Sequence, residues 1–256
     1  RRNADFSVDL TDIEALRAVI DQARPTIIVN CAAIVDVQAC ERDPGLAYRT
    51  HAAIIPTLTR YCRRNDAALI QVSTDHFFAG ESAAAHDEGA PVSLLNQYAA
   101  TKYAGERFAL LHENSLVLRT SIVGLRGWDT PSFAEWVIAA VLEEREITMF
   151  RDAYTSSIDV GTFANAALDL LDTGTRGLVN LAAGEVYSKE AFIRQIAKRL
   201  GVELSNAVSG TVQTLHPPRP KALGLDVSLA EARLGRRMPN LKEVVDSLIA
   251  SYESNP

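Results

Sequence analysis

Residues Ala68–Phe78 read ALIQVSTDHFF, and after a polar interval Asn96–Arg107 read NQYAATKYAGER. Leu69 to Val72 is a mostly apolar run bounded by polar residues, the pattern of a buried strand in a parallel sheet. Ser73, Thr74 and Asp75 then fall at the C-terminal end of that strand, the end where open α/β sheets bind ligands. Tyr98 and Lys102 stand one helical turn apart, so a helix would present phenol and ammonium on one face. A hydroxyl, a phenol and an amine would converge on one crevice.

That trio suits the reduction of a carbonyl. A phenol of ordinary pKa, about 10, is a poor acid near neutrality, and a neighbouring ammonium favours its ionised form. Tyr98 could then protonate a carbonyl oxygen as carbon is reduced, with Thr74 holding that oxygen by a hydrogen bond. Tyr-x-x-x-Lys by itself also arises by chance, as a surface tyrosine beside a solvated lysine.

The context is more specific. Ser73-Thr74-Asp75 at a strand end, Tyr98-Ala99-Ala100-Thr101-Lys102-Tyr103-Ala104-Gly105-Glu106, and LVLRTSIVG at Leu116–Gly124 together resemble the extended short-chain dehydrogenase/reductase family, closest to its dTDP-4-dehydrorhamnose reductase branch. The likeness runs from Asp9 to the last helix. It implies a Rossmann-like, doubly wound parallel α/β sheet with a smaller substrate lobe, divided as residues 1–124 with 157–182 and 125–156 with 183–256. It implies NADPH or NADH as cofactor and a 4-keto-6-deoxy sugar nucleotide as substrate. Thr74, Tyr98 and Lys102 would be catalytic, and Ser73, Tyr98 and Lys102 would also meet the cofactor.

Outward from this centre, Asp9-Leu10-Thr11-Asp12 matches the family's short motif before a helix, where the Asp9-Leu10 pair would lie beside the adenine. Thr11 or Asp12 can cap that helix. Thr26 to Val29 reads as a buried strand, and Asn30-Cys31-Ala32-Ala33 resembles the family's Asn-x-Ala-Ala turn, whose small residues let the backbone approach the cofactor. Asp43 and Pro44 open a helix that Pro56 should kink. At position 51 the family usually carries Asn; this chain has Thr50-His51-Ala52, and if that Asn orders the active-site water network, His51 puts the proton relay in doubt.

His76 departs in another way. The family's dehydratases carry Thr-Asp-Glu, and Thr74-Asp75-His76 lacks the glutamate that their elimination of water requires. Asp75 and His76 would face the substrate, or cap and pack the loop with Phe77 and Phe78. Ala79 to Leu95 reads as a loop over the pocket, without new elements. Its His86, Asp87 and Glu88 are expected to be solvated, and no metal is expected. Arg119-Thr120-Ser121 matches the family's Arg-Thr-Ser, which places Ser121 near substrate. The tryptophan that follows in the family is replaced by Ile122, so the sugar can differ; Trp128 is close in sequence. Thr130 and Pro131 open a helix with Phe133, Trp136, Val137, Ala140 and Val141 on its core face. Arg219-Pro220, followed by Leu225-Asp226, resembles the family's Arg-Pro and Leu-Asp signature, and Arg219 would meet a nucleotide phosphate or lie fixed on the surface. Asn240 with Glu243 forms a capping box.

The chain starts Arg1-Arg2-Asn3, and no glycine precedes Gly45. The Gly-rich turn that holds a pyrophosphate is therefore expected upstream, in a strand-helix unit of roughly 35 to 45 residues. Arg2, after the second strand of such a fold, could pair with the 2′-phosphate of NADPH, or be a solvated end.

Composition sets outer limits. The net charge of −6 argues against a nucleic-acid partner. No apolar run reaches the roughly 20 residues of a bilayer span, so no membrane partner is expected. Three cysteines, an odd number without metal-ligand spacing, fit reduced thiols in a cytoplasm. A homodimer is compatible with all of this. Two other functions remain open: a reductase-like subunit that regulates a partner enzyme, as the beta subunit of methionine adenosyltransferase does, and a sugar-nucleotide epimerase that retains NAD.

Overall fold

The computed structural model describes residues 4–80, 83–127, 130–214 and 219–254. Arg1, Arg2, Trp128 and the start of the Pro-rich loop, His216 to Pro218, lie outside the described residues. The expected α/β architecture is present. Four strands form one sheet in the order Ile27–Asn30, Ala68–Val72, Ser115–Arg119, Gly177–Asn180. The first pair is parallel with Ile27 opposite Ala68, and the next is parallel with Leu69 opposite Ser115. Helices connect successive strands, as parallel pairing requires.

Packing divides the chain into two units, each with its own core. The first comprises residues 4–74, 94–118 and 174–178. Its core joins Leu16 and Ile20 of the helix Ile13–Ala23 to Ile55, Leu58 and Cys62 of the helix Ile55–Asn65, with Leu69 and Val117 from the sheet. Asp12 caps the first of these helices, accepting from the Glu14 and Ala15 N–H groups.

Three local expectations need correction here. The apolar run Thr26 to Val29 predicts a buried strand, yet Ile27 and Val29 are 42% and 49% exposed. Their strand stands at the edge of the sheet, paired on one side only among the described residues. Pro56 does not sit in the middle of a helix. The segment opened by Asp43 and Pro44 runs as Pro44–Tyr48, widens into a π-helical turn at Arg49–Ala53, and restarts as Ile55–Asn65, with Pro56 in the new first turn. A proline there gives up an N–H that has no helical partner anyway. Ala79 to Leu95 is not free of structure, since Ala85 and His86 pair in parallel with Gly224 and Leu225.

The second unit comprises residues 75–93, 119–173 and 179–254. Three helices, Phe133–Leu142, Lys189–Leu200 and Leu241–Glu253, bury Val137, Ile138, Val141, Phe192, Ile196, Val244 and Leu248 together. The first helix is capped by Ser132 in a capping box with Glu135, one residue beyond the Thr130-Pro131 start read from sequence. Its face also departs from expectation: Phe133 and Trp136 are 39% and 37% exposed. Phe133 carries the Lys189 ammonium 4.6 Å above its ring, which places it at the polar margin of this core. The Asn240 and Glu243 capping box is present as read.

Candidate functional site

In the first unit the Ala68–Val72 strand and the Gln97–Ala109 helix position the reactive groups. Asn96 caps the helix by accepting from the Ala99 N–H at 2.9 Å, which puts Tyr98 and Lys102 in its first turn and a half. Both are buried, with 9% and 5% of their surfaces exposed. This excludes the picture of a surface tyrosine with a solvated lysine. Lys102 Nζ donates to the Val72 carbonyl at 2.7 Å, at the C-terminal end of the strand. That is its single hydrogen bond among the described residues, so two N–H donors of a buried ammonium are left for a ligand. Burial pulls the Lys102 ammonium down to about 8, while the Cys31 thiol and Glu106 act in the opposite direction.

Ser73 and Thr74 continue from that strand, and both are buried. Ser73 Oγ donates to Glu106 Oε2 at 2.9 Å, so this hydroxyl braces the Tyr98 helix against the strand. Asn30 is fixed from both ends of its amide: Nδ2 donates to Gln71 Oε1 at 2.8 Å, and Oδ1 accepts from the Ala32 N–H at 3.2 Å. These bonds hold the Asn-x-Ala turn open beside a groove of about 560 Å³. Leu10, Asn30, Cys31 and Ala32 are among its lining residues; Asp9 and Ala33 are not. Asp9 instead accepts from the Thr11 N–H and hydroxyl at 2.9 and 2.8 Å, and those bonds lower its carboxyl pKa. The groove is lined mostly by apolar residues, and neither Tyr98 nor Lys102 is among them.

His51, in the π-helical turn, was noticed in sequence only as a departure. It is 1% exposed and meets the Tyr98 ring edge-on, with centroids 5.7 Å apart. Gln71 was not singled out at all. A polar residue inside an apolar strand was the available signal, because a buried amide requires a partner.

The second unit gathers the other named residues. Asp75 is 3% exposed, and its N–H donates to the Thr120 carbonyl at 3.1 Å. His76 is pushed down to about 4 by burial first, then by the nearby charges of Arg219 and Lys189. Phe77 and Phe78 are fully buried, with the Arg119 guanidinium 5.3 and 5.6 Å from their ring centres. Ser121 Oγ lies 2.8 Å from Ser157 Oγ and 3.3 Å from Thr155 Oγ1, a cluster of three hydroxyls. Tyr187 donates to the Ser157 carbonyl at 2.6 Å. Burial lowers the Lys189 pKa, and Asp75 partly restores it. Lys189 and Tyr187 were missed because more than a hundred residues separate them from Asp75. His86 and Glu88 are not simply solvated: His86 stacks on Phe78, and Glu88 accepts from the Asn180 N–H at 2.8 Å.

Chemically, the first unit offers a buried phenol, a buried ammonium one helical turn further along the same helix, and a groove. The second offers hydroxyls and two cationic side chains around a carboxylate and an imidazole. Comparison with known proteins agrees in kind. A family model for the RmlD substrate binding domain matches residues 2–254. The probable low-salt glycan biosynthesis reductase Agl14 of Haloferax volcanii is 29% identical over 251 residues, 96% of this chain and 84% of that protein. A dTDP-4-dehydrorhamnose reductase of Mycobacterium tuberculosis is 32% identical over 204 residues, covering 76% of this chain and 65% of that one. Among solved structures, the dTDP-4-dehydrorhamnose reductase of Bacillus anthracis in complex with NADP superposes with a TM-score of 0.87 at 25% identity, over 95% of this chain and 87% of that chain.

Proposed function

The chain belongs to the RmlD substrate binding domain family, and from that premise we propose that it reduces the 4-keto group of a 4-keto-6-deoxy sugar nucleotide with NADPH as cofactor. The observation that carries this reading is the buried Tyr98 and Lys102 pair at a strand end, with two lysine donors uncommitted. The NADP held by the similar Bacillus anthracis enzyme supports the choice of cofactor.

When bound, NADPH supplies the hydride that the carbonyl carbon takes up. Tyr98 gives its phenolic proton to the carbonyl oxygen, and the Lys102 charge stabilises the phenolate left behind. Lys102 directs its remaining N–H groups to ribose hydroxyls of the cofactor, and Thr74 donates to the reacting oxygen. Leu10, Cys31 and Ala32 wall the cofactor groove, with Ser73 bracing from behind. Asp75, His76, Ser121 and Arg219 serve the substrate, Arg219 towards its phosphates. The division into residues 1–124 with 157–182 for cofactor and the remainder for sugar belongs to the same proposal. Ile122 in place of the family's tryptophan removes a stacking surface, so dTDP-4-dehydrorhamnose is tested beside other 4-keto-6-deoxy sugar nucleotides.

The test follows NADPH absorbance with dTDP-4-dehydro-6-deoxy-L-mannose, using the natural gene product with any residues that precede Arg1. Substrate-dependent oxidation is expected, and Tyr98→Phe should lower kcat by about 10²- to 10⁴-fold, the range of a lost general acid, with NADPH binding retained. Wild-type turnover that survives in Tyr98→Phe would remove the phenol from the mechanism. Failure with this and other 4-keto sugar nucleotides, despite NADPH binding, would overturn the reductase reading.

A further inference from the structure

We propose that His51 is a positioning residue for this reduction: a neutral imidazole, protonated at Nδ1, that fixes the Tyr98 phenol without relaying its proton. The inference rests on the reductase reading above. Its geometry stands independently.

Nε2 of His51 accepts from the Ile34 N–H at 2.8 Å. A ring nitrogen that accepts carries no proton, so the proton of the neutral ring sits on Nδ1. Nδ1 stands 2.8 Å from Thr101 Oγ1. The threonine hydroxyl directs its own proton to the Gln97 carbonyl at 2.7 Å, which leaves oxygen lone pairs for the Nδ1–H. Every donor then faces an acceptor, and the hydrogen-bond network admits one tautomer. A charged ring would bring a second N–H against that of Ile34. Burial and the Lys102 charge oppose that state as well, holding the imidazole down to about 4.

The partners explain what the lock does. Thr101 lies between Tyr98 and Lys102 on one helix, and the His51 ring stands at 87° to the Tyr98 ring. Ile34 follows the Asn30 turn beside the cofactor groove. One imidazole therefore joins the chain segment after that turn to the helix that carries the acid. The backbone makes room for it through the π-helical turn Arg49–Ala53, a distortion often retained where a site needs it. Gly105 closes the arrangement from the same helix, because a side chain there would run into the His51 carbonyl oxygen. Both ring nitrogens are committed, so the proton that restores Tyr98 after turnover comes by another route.

Two measurements test this. In ¹⁵N-labelled wild-type protein, with the His51 signals identified by their loss in His51→Gln or their displacement in Thr101→Val, the neutral Nδ1–H pattern is expected at neutral pH. An Nε2–H pattern or an imidazolium would overturn the proposal, whether or not the protein reduces any sugar. In turnover, Thr101→Val removes the oxygen that Nδ1–H needs. It should lower kcat by about 10- to 100-fold, the cost of a misplaced acid, with both KM values retained and Thr101→Ser restoring the rate. Wild-type kcat in Thr101→Val would overturn the positioning role. Loss of a limb of the kcat–pH profile in His51→Gln would show a proton relay and overturn it equally.

Discussion

Cys31 borders the proposed cofactor groove and is exposed, whereas Cys40 and Cys62 are buried. Burial raises the Cys40 thiol pKa and pushes Cys62 up to about 11, so neither offers much thiolate near neutrality. Of Cys31, Cys40 and Cys62, Cys31 should therefore react first with an alkylating reagent in the native protein, as peptide mapping would show. Saturating NADPH should slow that labelling. Equal labelling with and without cofactor would place Cys31 outside the bound dinucleotide. Residues of this kind were legible in the sequence as types within a motif: Ser73, Tyr98 and Lys102 were all named there. Their states were not legible. Nothing local says that Lys102 spends one donor on Val72, or that Ser73 turns to Glu106.

Gly105 shows the same limit at the scale of an element. In the middle of a helix glycine costs about 1 kcal/mol relative to alanine, so propensity alone favours Gly105→Ala. The added methyl group would meet the backbone oxygen of His51, which cannot rotate away as a side chain could. Gly105→Ala is expected to destabilise the protein by about 1–3 kcal/mol, the usual cost of overpacking. Urea denaturation measures it, and a raised midpoint would show that the helix has room to shift. The alternation of strands and helices was readable because parallel strands leave apolar runs and helices leave apolar stripes. The π-helical turn was not. Pro56 drew attention to an interruption in the right region, but the widening lies upstream, where His51 reaches Ile34 and Thr101.

For the molecule as a whole, two histidines whose charged form is opposed by their surroundings make acid stability a direct test of the structure. His51 and His76 are each held down to about 4, against about 6.5 in an unfolded chain. Between those values the unfolded chain binds more protons, so stability falls as pH falls from about 6.5 to about 4, by up to about 3 kcal/mol for each group. Lys102 titrates in the folded state near 8, below the ordinary 10.5, so its burial penalty is relieved as pH rises through that window. Denaturation midpoints should therefore climb over the acid range, and His51→Gln should flatten that climb; an equal slope in the variant would mean that the ring is not held neutral. The sequence by itself determined the α/β class, the family likeness and the residue types at the strand end, because these follow from periodicity and short-range spacing. Tertiary structure alone decided which groups are buried, which tautomer His51 adopts, and that Lys189 and Tyr187 share a unit with Asp75. Those properties depend on dielectric surroundings and on contacts between segments far apart in the chain, and no local window of sequence contains them.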